Sequence, residues 1–223
     1  MLEAFIFDMD GVIIDSEPLH FEVDLDTMKY YGAEITQKEL EKYVGMTNPE
    51  MWGLIKQDYS LSHSVEDILR YQLESKIKAL RAAPMEPIQG IKNFIEEMKQ
   101  LKIPVGIASS SPPEFIKEVL LKFGIAEEFR CVVSGEEVAK GKPAPDVYLK
   151  AAELLGAEPG RCLVLEDSAH GIAAAKAAGM KCIGYINANS GNQDLSRADL
   201  IVSRIQDIPC TRAYEHIYGL SLI

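Results

Sequence analysis

The chain has 223 residues, 47% of them hydrophobic and 26% charged, with a mean hydropathy of -0.03, a composition that fits a globular protein able to bury a sizeable core. Lys and Arg total 23 against 34 Asp and Glu, and the resulting net charge of -11 (pI near 4.9) repels polyphosphate backbones, which argues against nucleic-acid and anionic-membrane partners. No apolar run approaches the ~20 residues that span a bilayer, and Met1-Leu2-Glu3-Ala4-Phe5 has no basic region ahead of a long apolar stretch, so a signal peptide is not expected.

In chain order, the first apolar run, residues 4–7, reads as a buried strand and ends in Asp8-Met9-Asp10-Gly11-Val12. Two carboxylates two residues apart beyond a strand would face one crevice, where a divalent cation or a shared proton relieves their repulsion. Asp8 could then attack an electrophile while Asp10 protonates a leaving group and later activates water. Taken alone, Asp-x-Asp-Gly reads more readily as an ordinary acidic turn. A calcium loop fits poorly, because Gly11 stands where the third loop ligand belongs.

Residues 15–84 contain no convincing strand. They read as helices over 19–31, 37–43, 50–57 and 65–80, with turns near Gly32, Gly45 to Pro49 and Tyr59 to Ser64. A helical insertion leaving after the first strand and returning near Pro84 and Pro87 is the simplest organisation: residues 1–14 and 85–223 form one domain and residues 15–84 a second.

From there strand-like runs at 103–108, 131–133, 162–165, 182–186 and 200–202 alternate with helical patterns at 91–101, 114–123, 146–155 and 171–178. Continuous apolar strands between helices predict an α/β fold, a parallel sheet covered on both faces, with ligands at the carboxyl ends of its strands. At the second such end lies Ala108-Ser109-Ser110-Ser111, whose hydroxyls and backbone amides can hold a phosphoryl oxygen or cap the next helix, or both. After the third comes Lys140-Gly141-Lys142-Pro143. Lys142, between glycine and proline, would present a point charge to an anion, whereas Lys140 fits a solvated turn better. At the fourth, Glu166-Asp167-Ser168 precedes a Gly- and Ala-rich helix, which suits either an oxygen-rich Mg2+ site or an acidic helix cap. Chance supplies any one of these; all four at successive strand ends is specific.

With these motifs the chain resembles the haloacid dehalogenase-like hydrolase superfamily, in its β-phosphoglucomutase-like and phosphoglycolate-phosphatase-like branch, over essentially its full length. The resemblance implies a Rossmann-like core with a small helical cap, Mg2+ as cofactor, and phosphoryl transfer through an aspartyl-phosphate. Carried over by motif, Asp8 is the nucleophile and Asp10 the general acid/base. Asp8, the Asp10 carbonyl and Asp167 would bind Mg2+, with Glu166 as ligand or just behind the ligands, and Ser109, Ser110 and Lys142 would hold the phosphate. Asp15, Glu17 and His20 resemble the hinge and cap entry; His20 donates to substrate or to Asp10, or merely packs the hinge. Gly45 and Thr47 would line the cap side of the pocket.

Relatives that cleave carbon–halogen or phosphonate bonds lack an acid at the Asp10 position, so Asp10 favours phosphate esters, whose alkoxide needs a proton. A mutase needs a second cationic pocket, which in β-phosphoglucomutase resembles a cap arginine shortly after a glycine and a lysine after the serine loop. Gly45-Met46-Thr47-Asn48-Pro49 has no arginine, and Pro112 and Pro113 follow Ser111 with no lysine before Lys117. The expectation is a phosphatase of a small phosphorylated metabolite, a sugar phosphate or similar. The alternatives are a phosphomutase and a non-enzymatic binding protein on the same fold. The four cysteines, Cys131, Cys162, Cys182 and Cys210, have no Cys-x-x-Cys or zinc spacing and read as reduced thiols of a cytoplasmic protein. No heptad or apolar stripe demands a partner, so a monomer is expected, and residues 211–223 read as a docked terminal helix.

Overall fold

The computed structural model describes residues 2–34, 36–40 and 48–208. Gly45, Thr47, Cys210 and residues 211–223 lie outside them. The chain divides into two compact units, Met1–Asp15 with Met85–Ile223, and Ser16–Pro84.

The unit Ser16–Pro84 holds α1 (Glu17–Tyr30), α2 (Gln37–Leu40), α3 (Asn48–Asp58) and α4 (Val65–Ala82), with no strand among its described residues. Met28, Trp52, Ile55 and Ile68, all fully buried, meet in its core, so the single tryptophan is packed inside the helices. α4 starts where the Ser64 hydroxyl accepts the Asp67 N–H at 3.1 Å, which satisfies one orphan donor of the first turn.

In the other unit, β1 (Ala4–Phe7), β2 (Val105–Ser109), β3 (Cys131–Ser134), β4 (Cys162–Glu166), β5 (Lys181–Tyr185) and β6 (Leu200–Val202) form one parallel sheet in the order β3-β2-β1-β4-β5-β6. The chain steps outward from β1 through β2 to β3, then crosses back to lay β4 on the other side of β1. That reversal opens a crevice at the carboxyl ends of the central strands, as in Rossmann-like folds. The connecting helices are α5 (Ile91–Gln100), α6 (Pro113–Phe123), α7 (Asp146–Leu155) and α8 (Ala169–Ala177).

Successive side chains of β1 point to opposite faces. Ala4 and Ile6 join Val147, Tyr148 and Ala151 of α7 and Ile172 and Ala175 of α8. Phe5 and Phe7 turn the other way and meet Phe94 of α5 edge-on, with ring centroids 4.9 and 5.9 Å away. Burial on both faces is why β1 is apolar throughout, and each of its phenyl rings contributes roughly 1.5–3 kcal/mol. Two of the four helix starts in this unit differ from the sequence expectation for local reasons. α6 begins one residue earlier, at Pro113, because proline loses no helical N–H in the first turn. α8 begins at Ala169 rather than Gly171 because Ser168 is its N-cap. Among the described residues no helix is long and apolar enough to cross a membrane.

Candidate active site

β2, β1 and β4 are neighbours, and the pairings Phe7↔Ile107 and Phe7↔Leu165 set their ends level. Asp8, Ser109, Glu166 and Asp167 therefore arrive at one edge, all of them buried. The Asp8 N–H continues the ladder to the Leu165 carbonyl at 3.0 Å, which fixes where its side chain starts.

Lys142 reaches this edge from the loop between β3 and α7, its side chain 6% exposed. Its Nζ donates to Asp8 Oδ1 at 2.5 Å and to Glu166 Oε1 at 2.7 Å, and lies 4.9 Å from the centre of the Tyr148 ring. Tyr148 donates its hydroxyl to the same Glu166 oxygen at 3.0 Å, while Glu166 Oε2 accepts the Ser168 N–H at 2.8 Å and the Ser168 hydroxyl at 2.9 Å. Both Glu166 oxygens are thus engaged, and the carboxylate acts as a fixed bracket for the lysine. The helix behind it must carry glycine: a Cβ at Gly171 would sit 1.5 Å from Glu166 Oε1.

Asp10 lies on the loop beyond β1. It accepts the Ser111 hydroxyl on Oδ2 at 2.7 Å, and Ser109 Oγ is 3.4 Å from the same oxygen. Ser109 Oγ accepts the Ser111 N–H at 3.0 Å, and Ser134 anchors the Ser111 carbonyl at 2.7 Å. Gly11, at φ +75°, lets this loop pass under Asp167, whose Oδ2 would lie 1.9 Å from a Cβ there.

The charges do not balance. Asp8 and Glu166 both bond the Lys142 ammonium, and Asp10 and Asp167 add two more carboxylates close enough to act on Asp8. Burial drives Asp8 well above the usual carboxylate range in spite of Lys142, with Glu166, Asp167 and Asp10 adding to the effect. Burial, then the Glu166 charge, pushes Asp167 up to about 7. Burial works against the ammonium of Lys142, but Asp8 and Glu166 outweigh it and hold its proton more firmly than in water. The site is short of positive charge. One oxygen each from Asp8, Glu166 and Asp167 lies within 4.8 Å of the others. An all-oxygen donor set of this kind fits a hard divalent cation such as Mg2+.

Of the residues singled out in the sequence, Asp8, Asp10, Ser109, Lys142, Glu166 and Asp167 come together here. Ser110 is exposed, and its neighbour Ser111 is the one bonded to Asp10. His20 sits in the first turn of α1, in the helical unit. Sequence reasoning missed Tyr148, Ser168 and the loop beyond β5, from which Ser190 donates to Asp167 Oδ2. The alternation of α7 does flag Tyr148 as inward-facing; nothing in the polar loop flags Ser190.

Comparison with known proteins follows the same lines. The family model for haloacid dehalogenase-like hydrolases matches residues 5–185. The phosphorylated carbohydrates phosphatase of Thermotoga maritima is 30% identical over 201 residues, which cover 90% of this chain and 93% of that protein. Hexitol phosphatase B of Escherichia coli K12 is 34% identical over 184 residues, 81% of this chain and 82% of its own. Among solved structures, CbbY from Rhodobacter sphaeroides in complex with phosphate superposes with a TM-score of 0.87 at 25% identity, covering 94% of this chain and 97% of that one.

Proposed function

The chain belongs to the haloacid dehalogenase-like hydrolase family, and we propose that it is a Mg2+-dependent phosphatase of small phosphorylated metabolites, sugar phosphates foremost, acting through an aspartyl-phosphate on Asp8. The observation that carries this reading is the buried Asp8 carboxylate 2.5 Å from the Lys142 ammonium, with Asp10 two residues on at the same strand end. A nucleophile, an acid and a fixed cation gathered at one edge suit phosphoryl transfer.

In the first half-reaction the Asp8 carboxylate attacks phosphorus. The new P–O bond to Asp8 forms as the ester P–O bond breaks, and Asp10 gives its proton to the departing alkoxide. In the second, Asp10 takes a proton from water as the water oxygen attacks phosphorus, which breaks the bond to Asp8 and frees inorganic phosphate. Lys142 and Ser109 hold the phosphoryl oxygens, and Glu166 keeps Lys142 in place. Asp8, Asp167 and the Asp10 carbonyl would hold Mg2+, which when bound supplies positive charge to the phosphoryl oxygens and offsets the excess of carboxylates. Hydrolysis rather than isomerisation is supported by the sequence, where Gly45-Met46-Thr47-Asn48-Pro49 carries no arginine. Pro112 and Pro113 follow the serines, and Lys117, the next lysine, is exposed on α6.

The test is an assay on a panel of phosphorylated metabolites, including β-glucose 1-phosphate primed with the 1,6-bisphosphate, that follows inorganic phosphate and glucose 6-phosphate separately. Phosphate release that is lost with EDTA and restored by Mg2+ is expected. Efficient glucose 6-phosphate formation with little free phosphate would overturn the reading. Gly171→Ala offers a second check, since the added methyl must displace Glu166. Overpacking of this kind costs about 1–3 kcal/mol in unfolding free energy. Loss of the Lys142 position is expected to lower kcat by about 100-fold. Unchanged kinetics in this variant would remove the bracket role of Glu166.

A further inference from the structure

The segment 187–193, between β5 and β6, matches none of the four motifs, yet it ties two strand ends together. At its start, Asn187 Nδ2 donates to the Gly11 carbonyl at 3.0 Å, and Asn189 Nδ2 donates to Asp15 Oδ2 at 2.6 Å, so it is pinned to the loop beyond β1. The Asn187 side chain in turn accepts the Asn189 N–H at 2.9 Å, which stiffens the turn. At its far end, Gln193 accepts the Ala169 N–H at 3.1 Å, at the start of α8 beyond β4, and donates back to the Ser190 carbonyl at 2.9 Å. Between these two anchors the Ser190 hydroxyl donates to Asp167 Oδ2.

Asp167 is 6% exposed, and Ser190 is the hydrogen-bond donor the structure gives its carboxylate. Gly11 passes close to the same oxygen and to the Ser190 hydroxyl, leaving no room for a side chain there. A carboxylate on a single-bonded stem can rotate about its last torsion, and a short loop fixed at both ends removes that freedom. We propose that Ser190 is the positioning residue for the cation at Asp167: by occupying Oδ2 it sets the plane of the carboxylate and leaves Oδ1 for the cation. The inference rests on the reading of Asp167 as a metal ligand. Hydrogen bonds of this kind to a ligating carboxylate are worth about 10- to 100-fold in metal affinity.

The experiment uses the full chain stripped of metal, with Mn2+ as the probe, followed by the paramagnetic resonance signal of free Mn2+, and Mg2+ by calorimetry. Ser190→Ala is expected to weaken Mn2+ binding by about 10- to 100-fold. Its unfolding temperature in metal-free buffer should fall only modestly, since Ser190 is half-buried and leaves no large void and the loss is that of one hydrogen bond to a buried carboxylate. Ser190→Thr, which keeps the hydroxyl, should recover most of the affinity. In turnover, Ser190→Ala should raise the Mg2+ concentration for half-activity while kcat at saturating Mg2+ returns toward the parent value. Asp167→Asn separates the two layers of inference. If it binds Mn2+ like the parent, Asp167 is not a ligand and the metal reading fails. If it loses Mn2+ while Ser190→Ala binds like the parent, the metal reading stands and the role of Ser190 is overturned.

Discussion

Asp8→Asn is expected to abolish turnover, by more than about 10,000-fold, because removing an attacking group leaves only binding and electrostatics to accelerate the reaction. The substitution is nearly isosteric, and an amide oxygen can still accept from Lys142, so the local packing survives. The protein should also lose no stability in metal-free buffer. In the folded chain the Asp8 charge is opposed by burial and by Glu166, Asp167 and Asp10, a burden that outweighs the attraction of Lys142. Neutral asparagine is free of it, so the unfolding temperature should equal or exceed that of the parent. Loss of activity with equal or greater stability is the signature of a group kept for chemistry at the expense of the fold. Turnover at the parent rate would remove the aspartyl-phosphate mechanism, and a collapse in unfolding temperature would mark Asp8 as structural instead.

Asp10→Asn should lower turnover by about 100- to 10,000-fold, the usual range for a general acid or base. The loss should depend on the leaving group in a way that identifies the role. An alkoxide from a sugar needs a proton as the P–O bond breaks, whereas a nitrophenolate does not. Phosphorylation of Asp8 by an aryl phosphate should therefore be slowed little in the variant, and phosphorylation by a sugar phosphate strongly. Hydrolysis of the phospho-enzyme, which needs Asp10 to take a proton from water, should be slowed equally for both. Rapid-quench measurement of the phospho-enzyme would then show it accumulating from the aryl ester. Equal losses in the first step for aryl and sugar esters would exclude the acid role. The Ser111 hydroxyl, 2.7 Å from Asp10 Oδ2, leaves the carboxylate oriented in the parent, so the effect reads the lost proton rather than lost position.

The sheet was readable because its signals are local. Every one of the six strand-like runs became a strand, with 4–7 and 200–202 matching at both ends; for the central strands β1, β2 and β4 the reason is that burial on two faces demands an apolar run. The Asp8, Ser109, Lys142 and Glu166-Asp167 signals were readable for a related reason: a polar residue directly after such a run has few places to go except the carboxyl edge. What stayed hidden depends on contacts between distant loops. Ser111 rather than Ser110 turns to Asp10 because the chain bends at Ser110 and Ser111 after the strand, and the strand pattern alone does not tell which serine beyond Ser109 faces inward. Gly171 is one of many small residues in its stretch until the Glu166 carboxylate is seen lying where its Cβ would be. Ser190 and Asn187 meet partners 23 and 176 positions away, in a loop with no periodicity to betray a buried side.

The strand order also grades how easily parts of the site can open. β1 is hydrogen-bonded on both sides, by β2 and β4, and so lies in the middle of the sheet. Among the described residues the three-residue β6 is an edge strand with one neighbour. Edge elements with few shared bonds open at low free energy, while central strands exchange their amides only when the whole domain unfolds. Asp8 therefore hangs from an interior strand, where amide exchange is expected to be slow. The loop carrying Ser190 is strung between β5 and the edge strand, where breathing starts. Fraying at that edge would release Asp167 from its hydroxyl partner while Asp8 and Lys142 stay in register, so the two halves of the site loosen on different timescales.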